Sequence, residues 1–110
     1  MTNKLVLGTF EFATVMSILR LIDNAYGVTI RQELEAILGK SVAAGAVYTT
    51  LARLEDKGLV SSKEGDPTPE RGGRAKRFYR LESAGRGALA ATLEEQDRLR
   101  QTMPLGAVTT

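Results

Sequence analysis

Arg71-Gly72-Gly73-Arg74-Ala75-Lys76-Arg77 is the stretch on which the fold turns. It runs from a loop into the second of two short segments that suit strands, Leu59-Val60-Ser61-Ser62-Lys63-Glu64 and Lys76-Arg77-Phe78-Tyr79-Arg80-Leu81. Between them, residues 65–75 hold Gly65, Pro67, Pro69, Gly72 and Gly73, a composition that interrupts regular structure. Two strands about such a loop predict a β-hairpin over 59–64 and 76–81. In the second strand Arg77, Tyr79 and Leu81 share one face, and Lys76, Phe78 and Arg80 the other. The loop end is cationic, since residues 71–80 carry five cations and no anion. Gly72-Gly73 lets the chain bend and approach a partner with no Cβ in the way.

Upstream of the hairpin the periodicity changes to that of helices. Phe12, Val15, Met16, Leu19 and Ile22 fall on one face of a helix over 9–22, with Thr9 as its N-cap and Asp23-Asn24 as its stop. Ile30, Leu34, Ile37 and Leu38 stripe a second helix over 27–38, ended by Gly39. Ser41 is a candidate N-cap for a third helix, about 43–57, whose Val47, Leu51 and Leu54 face the core and whose stop is Gly58. Its opposite face is small and polar: Ala44, Gly45, Tyr48, Thr49, Ala52, Arg53 and Asp56. Three short helices followed by a cationic hairpin predict a winged helix-turn-helix unit.

Downstream, residues 83–101 predict a fourth helix with Ser83 as N-cap. Its stripe is thin: Leu89 and Leu93, interrupted by Gln96, then Leu99, with Met103 beyond. A weak stripe on a terminal helix suits packing on a second copy of the chain. The expected class is therefore mainly α with a small β-hairpin (α+β). Residues 1–82 are expected to form the winged helix-turn-helix domain, 83–103 the dimerisation helix, and 104–110 a disordered tail.

Composition narrows the chemistry. The 110 residues amount to one domain. There is no cysteine, which excludes disulfides, thiolate metal sites and a thiol switch. There is no histidine, so the commonest general base and neutral-pH switch is missing as well. The carboxylates are scattered among basic residues and form no paired-acid constellation. Neither an enzyme nor a cofactor or metal is expected. No apolar run approaches the ~18 residues of a membrane span, and residues 1–8 lack the features of a secretion signal. A cytoplasmic location is the expectation.

The formal net charge is only +2, but it is unevenly placed. Residues 43–87 hold nine basic and six acidic side chains, while 1–42 are balanced and 88–110 are slightly acidic. A local cationic patch on a nearly neutral chain points to a focused anionic partner, and its setting points to duplex DNA. Thr49 and Arg53 are the main candidates to read bases. Ser41, Ala44 and Gly45 mark a helix N-terminus suited to close approach and a phosphate. Arg71, Gly72, Gly73, Arg74, Lys76 and Arg77 form the wing, expected on the DNA backbone. Two competing functions are a winged-helix module that binds protein without nucleic acid, and one that binds RNA. A protein-binding module does not need the cationic wing, and RNA would call for exposed stacking aromatics near it.

Three motifs in this order also carry a family resemblance. Ala25-Tyr26-Gly27-Val28-Thr29-Ile30, the run from Gly45 to Val60, and Arg71 to Leu81 resemble the PadR family of bacterial regulators, over about residues 5–90. The resemblance implies a homodimer joined through its C-terminal helix (Leu89, Leu93, Gln96, Leu99 and Met103) that represses transcription, often its own. It implies a pseudo-palindromic double-stranded operator and release by a small-molecule effector or other cue. It also implies that Tyr26, Tyr48, Thr49 and Arg53 lie at the DNA face, with the wing residues beside them. The single short C-terminal helix is similar to that of the family's short-armed group. The chain has no tryptophan, which sets it apart from members that hold flat aromatic drugs against one.

Overall fold

The computed structural model describes residues 5–65, 76–103 and 105–109. In chain order these form α1 (Thr9–Leu21), a 3₁₀ turn (Ile22–Asn24), α2 (Gly27–Leu38), α3 (Ala44–Asp56), β1 (Val60–Glu64), β2 (Arg77–Leu81), α4 (Ser83–Thr102) and α5 (Leu105–Thr109). The strands form an antiparallel pair with Val60 opposite Leu81 and Glu64 opposite Arg77. The winged helix-turn-helix expectation is met, and strand and helix ends differ from it by a residue or two.

One core joins α1, α2, α3, the hairpin and α4. Val15 and Ile18 of α1, Ile30 and Leu34 of α2, and Val47, Leu51 and Leu54 of α3 are fully or nearly fully buried, together with Val60 of β1. Leu81 of β2 and Ala88 and Leu89 of α4 join the same cluster. The α2 and α3 stripes thus face inward as expected. On α1 the buried face is rotated from the expected stripe. Thr14 and Ser17 are buried, while Leu19 is exposed and Ile22 is 72% exposed. The two hydroxyls can enter the core because each donates to its own helix, Thr14 to Phe10 O at 2.7 Å and Ser17 to Ala13 O at 2.8 Å. An apolar-only pattern does not register such residues.

The expected helix caps need correction. Gly8, not Thr9, is the N-cap of α1, and Glu82, not Ser83, that of α4. Ser41 is not the cap of α3, which starts from Ala43. The turn before α3 is held from α2 instead: Val42 N–H donates to Glu35 Oε2 (2.9 Å), and Arg31 Nε donates to Val42 O (2.7 Å). The glycine stops are as expected, with Gly39 at φ 69° and Gly58 at φ 74°, the left-handed region that glycine enters without strain.

The hairpin is anchored at both ends. Tyr79 N–H donates to Ala25 O at 2.8 Å and Tyr26 bridges Phe78, so residues 25–26 run beside β2 as a rudimentary third strand. At the other end Glu82 N–H donates to Leu59 O at 3.0 Å, and Gly85 passes so close that a Cβ there would overlap that same carbonyl. The first half of α4 therefore belongs to the core. Leu89, expected on the dimer face, is 7% exposed and packs within its own chain. The segment before α1 docks on α4 through Leu7 N–H, which donates to the buried Thr92 Oγ1 at 3.0 Å. Residues 105–109, expected in a disordered tail, form the exposed turn α5, closed by Thr109 Oγ1 on Gly106 O.

Candidate nucleic-acid interface

Helix α3 turns one face to the core and leaves the other bare. Ser41, Ala44, Gly45, Tyr48, Thr49 and Arg53 are all exposed. Val47, Thr50, Leu51 and Leu54 on the buried side fix the rotation of the helix, so these groups project outward together. The 13-residue helix is roughly 20 Å long, enough to lie along a major groove. Its first turn has small side chains and no side-chain cap; Ala46 N–H donates to Ala43 O at 3.1 Å, which leaves the Ala44 and Gly45 N–H groups available to an anion.

Tyr48 is 54% exposed and reaches back over the start of α2, where a Cβ on Gly27 would overlap its hydroxyl end. Gly27, Val28, Arg31, Gln32, Glu35, Ala44, Val47 and Tyr48 line a cleft of about 260 Å³ between the two helices. Val28, Arg31 and Gln32 are exposed there, beside the expected DNA face. The apolar stripe of α2 locates these positions only as the side away from the core.

Tyr26 occupies the junction of α2 and the hairpin. Its backbone N–H donates to Thr29 Oγ1 at 3.0 Å, an N-terminal cap made by the third residue of the helix. Its ring meets Phe78 edge-on, with centroids 5.4 Å apart, and Lys76 Nζ lies 4.4 Å from its centroid. Tyr26 is thus half-buried packing that carries a cation on its face. Tyr79, also half-buried, has its hydroxyl pKa raised, chiefly by burial and then by the Glu55 carboxylate. It stays neutral at physiological pH.

The wing residues divide. Arg71, Gly72, Gly73 and Arg74 lie outside the described residues. Lys76 and Arg77 lie at the loop end of the strand pair and are exposed. Arg77 is already engaged: Nη1 donates to Ser62 Oγ at 3.0 Å and Nη2 lies 3.7 Å from Glu64 Oε2. Ser62 Oγ in turn donates to Glu55 Oε2 of α3 at 2.8 Å. Neither Ser62 nor Glu55 carries a sequence signal for this, because the link exists only through strand pairing.

A second cleft, of about 450 Å³, opens where α1 ends beside β2. Ile18, Leu19, Ile22, Phe78 and Leu81 give it apolar walls, and Lys63, Arg80 and Arg86 bring cations to it, against one acid, Asp23. No group of acidic residues able to hold a metal occurs among the described residues. No described helix is long and apolar enough to cross a membrane.

Three helices, the third with a bare polar face, followed by an antiparallel hairpin tied to the second, define a winged helix-turn-helix protein. The comparisons agree. The sequence profile of the PadR-like transcriptional regulator family matches residues 15–91, so the chain belongs to that family. A PadR family transcription regulator from hypervirulent Clostridium difficile superposes with a TM-score of 0.70 at 26% identity, covering 87% of this chain and 95% of that one. RosR from H. salinarum gives 0.60 at 25% identity, over 90% of this chain and 79% of that one. Bordetella bronchiseptica BpsR, whose DNA binding is regulated by 6-hydroxynicotinic acid, shares the fold at 16% identity, with a TM-score of 0.66 over 87% of this chain and 64% of that one. No curated protein sequence matches the chain.

Proposed function

We propose that the chain is a homodimeric repressor that binds duplex DNA through α3 and the hairpin. The observation that carries this is the joint exposure of Ala44, Gly45, Tyr48, Thr49 and Arg53 on one face of α3. Lys76, at the loop end of β2, is held over the Tyr26 ring. Thr49 and Arg53 are the side chains able to hydrogen-bond base edges in a major groove. Tyr48, Lys76, the first-turn amides of α3 and the loop arginines Arg71 and Arg74 take phosphates, which set register and supply most of the affinity. With two base-reading side chains per copy, DNA shape carries part of the specificity.

Residues 1–82 supply the DNA-binding unit and α4 the dimer contact. Leu93, Gln96 and Leu99 recur along one side of α4, Met103 caps its end, and all are exposed in the single chain. A two-fold dimer calls for a pseudo-palindromic operator with half-sites about 34 Å apart. The cleft between α1 and β2 fits an effector with an apolar body and an anionic group. It touches β2, which leads directly to Lys76, so an occupant there bears on the hairpin.

Fluorescence anisotropy on the chain's own upstream DNA tests the function. Binding should be nanomolar to micromolar at low salt and fall steeply as salt rises. Replacing Arg71, Arg74 and Lys76 with Ala should weaken it and flatten the salt dependence. A stable protein partner that covers the hairpin, with no DNA binding, would instead establish the protein-interaction module.

A further inference from the structure

We infer that Arg77 is a positioning residue that sets the angle between the hairpin and α3, and not a phosphate contact. This rests on the DNA-binding function proposed above. The guanidinium is committed on two sides, to Ser62 Oγ at 3.0 Å and toward Glu64 Oε2 at 3.7 Å. Glu64 is its direct partner in the strand register. The chain of hydrogen bonds has a fixed direction. A carboxylate only accepts, so Ser62 gives its one proton to Glu55 and turns its lone pairs to Arg77. Arg77 of β2, Ser62 of β1 and Glu55 in the last turn of α3 are thereby linked end to end.

Glu55 also needs such an account on electrostatic grounds. An anion in the last turn of a helix opposes the helix dipole. An anion on the helix that enters a DNA groove also repels phosphates. Its place is explained if it terminates this link and holds the hairpin strands against the helix that carries Thr49 and Arg53. The strands of the hairpin and α3 then meet the duplex at one fixed angle, without a search at the moment of binding.

The opposed charges give the test its sign. Anisotropy across a salt series on the upstream duplex is measured for wild type, Arg77→Ala, Ser62→Ala, Glu55→Ala and Glu55→Gln, with hydroxyl-radical footprints of each. The link predicts that the three Ala variants weaken binding by a similar factor, roughly tenfold, the scale of a lost hydrogen bond to a charged group. Arg77→Ala with Ser62→Ala should be no worse than either alone. Glu55→Gln keeps an acceptor and should stay near wild type, which also controls for folding. The salt slope should not change, because no phosphate contact is lost. At saturating chain, protection opposite both the hairpin and α3 should persist as in wild type, a footprint that a generally unfolded variant does not produce. The role is overturned if Glu55→Ala binds as tightly as wild type or tighter, or if Arg77→Ala lowers the slope by about 0.9, one phosphate's worth. Wild-type chain that ignores DNA at low salt overturns the function and this role together. Binding that ignores Ser62 and Glu55 overturns this role alone.

Discussion

The Tyr48 ring lies across the α-carbon of Gly27, filling the space that any other residue's Cβ would need. An exposed tyrosine of α3 is thereby aimed by the first residue of α2. Gly27→Ala should push the ring aside. Because the displaced atoms are the free end of an exposed side chain, unfolding free energy should change by less than about 1 kcal/mol. DNA affinity should nonetheless drop about two- to tenfold, as for one misplaced hydrogen bond. Urea denaturation and anisotropy on the same variant separate the two effects. A destabilised variant with full DNA affinity would show that Tyr48 takes no part in binding.

Gly85 meets backbone, not a mobile side chain. Its neighbour is the Leu59 carbonyl, which is also held by Glu82 N–H. Gly85→Ala should therefore cost about 1–3 kcal/mol of stability, the scale of an overpacked core. Gly87→Ala, two residues along the same helix with nothing near the added methyl, should gain up to about 1 kcal/mol from helix propensity. Urea midpoints of the two variants should move in opposite directions.

Helix α4 divides into a half that its own chain buries and a half that it does not. Leu93 is 44%, Leu99 57% and Met103 60% exposed. Replacing these three with Ser, Gln and Gln should leave the single chain folded and convert a dimer to a monomer at micromolar concentration in sedimentation. A wild-type monomer under the same conditions would contradict the dimer. Leu89→Ala should act differently, lowering stability by about 2–4 kcal/mol as a core truncation.

Tyr79 makes stability sensitive to alkali. Its folded-state pKa is raised by burial and by Glu55, so the unfolded chain releases the proton first as pH rises. The stabilisation is complete below the unfolded pKa, near 10, and is lost as pH climbs through the folded value. Between pH 9 and 11 the urea midpoint should fall more for wild type than for Tyr79→Phe. Equal pH dependence in the two would show that Tyr79 titrates as it does in the unfolded chain.

Much of this fold was legible because it rests on local rules. The α2 and α3 stripes, the stops at Gly39 and Gly58 and the two strands follow from periodicity and backbone freedom. The failures have a common cause. Thr14 and Ser17 are buried by bonding to their own helix, so a pattern of apolar residues passes them over and overcounts Leu19 and Ile22. Ser41 has the right side chain for a cap, but Glu35 and Arg31 hold that turn from a distance. Leu89 has the spacing of the exposed stripe, yet the close approach at Gly85 draws that half of α4 into the core. At the candidate interface, residue type and helical spacing pointed to Thr49 and Arg53, and the family resemblance added Tyr48. The engagement of Arg77 could not be read the same way, because Ser62 and Glu55 reach it only through strand register and the packing of α3.

The most direct test of DNA binding through α3 and the hairpin is the slope of log affinity against log salt on the upstream duplex. The slope should be steep for wild type and about 0.9 shallower for each phosphate contact removed, so Lys76→Ala should reduce it. Arg53→Ala should cut affinity chiefly at the base pairs it reads, by about 1–3 kcal/mol, relaxing the preference for operator over unrelated DNA. No binding at low salt, or a slope and preference that neither substitution alters, would contradict the account.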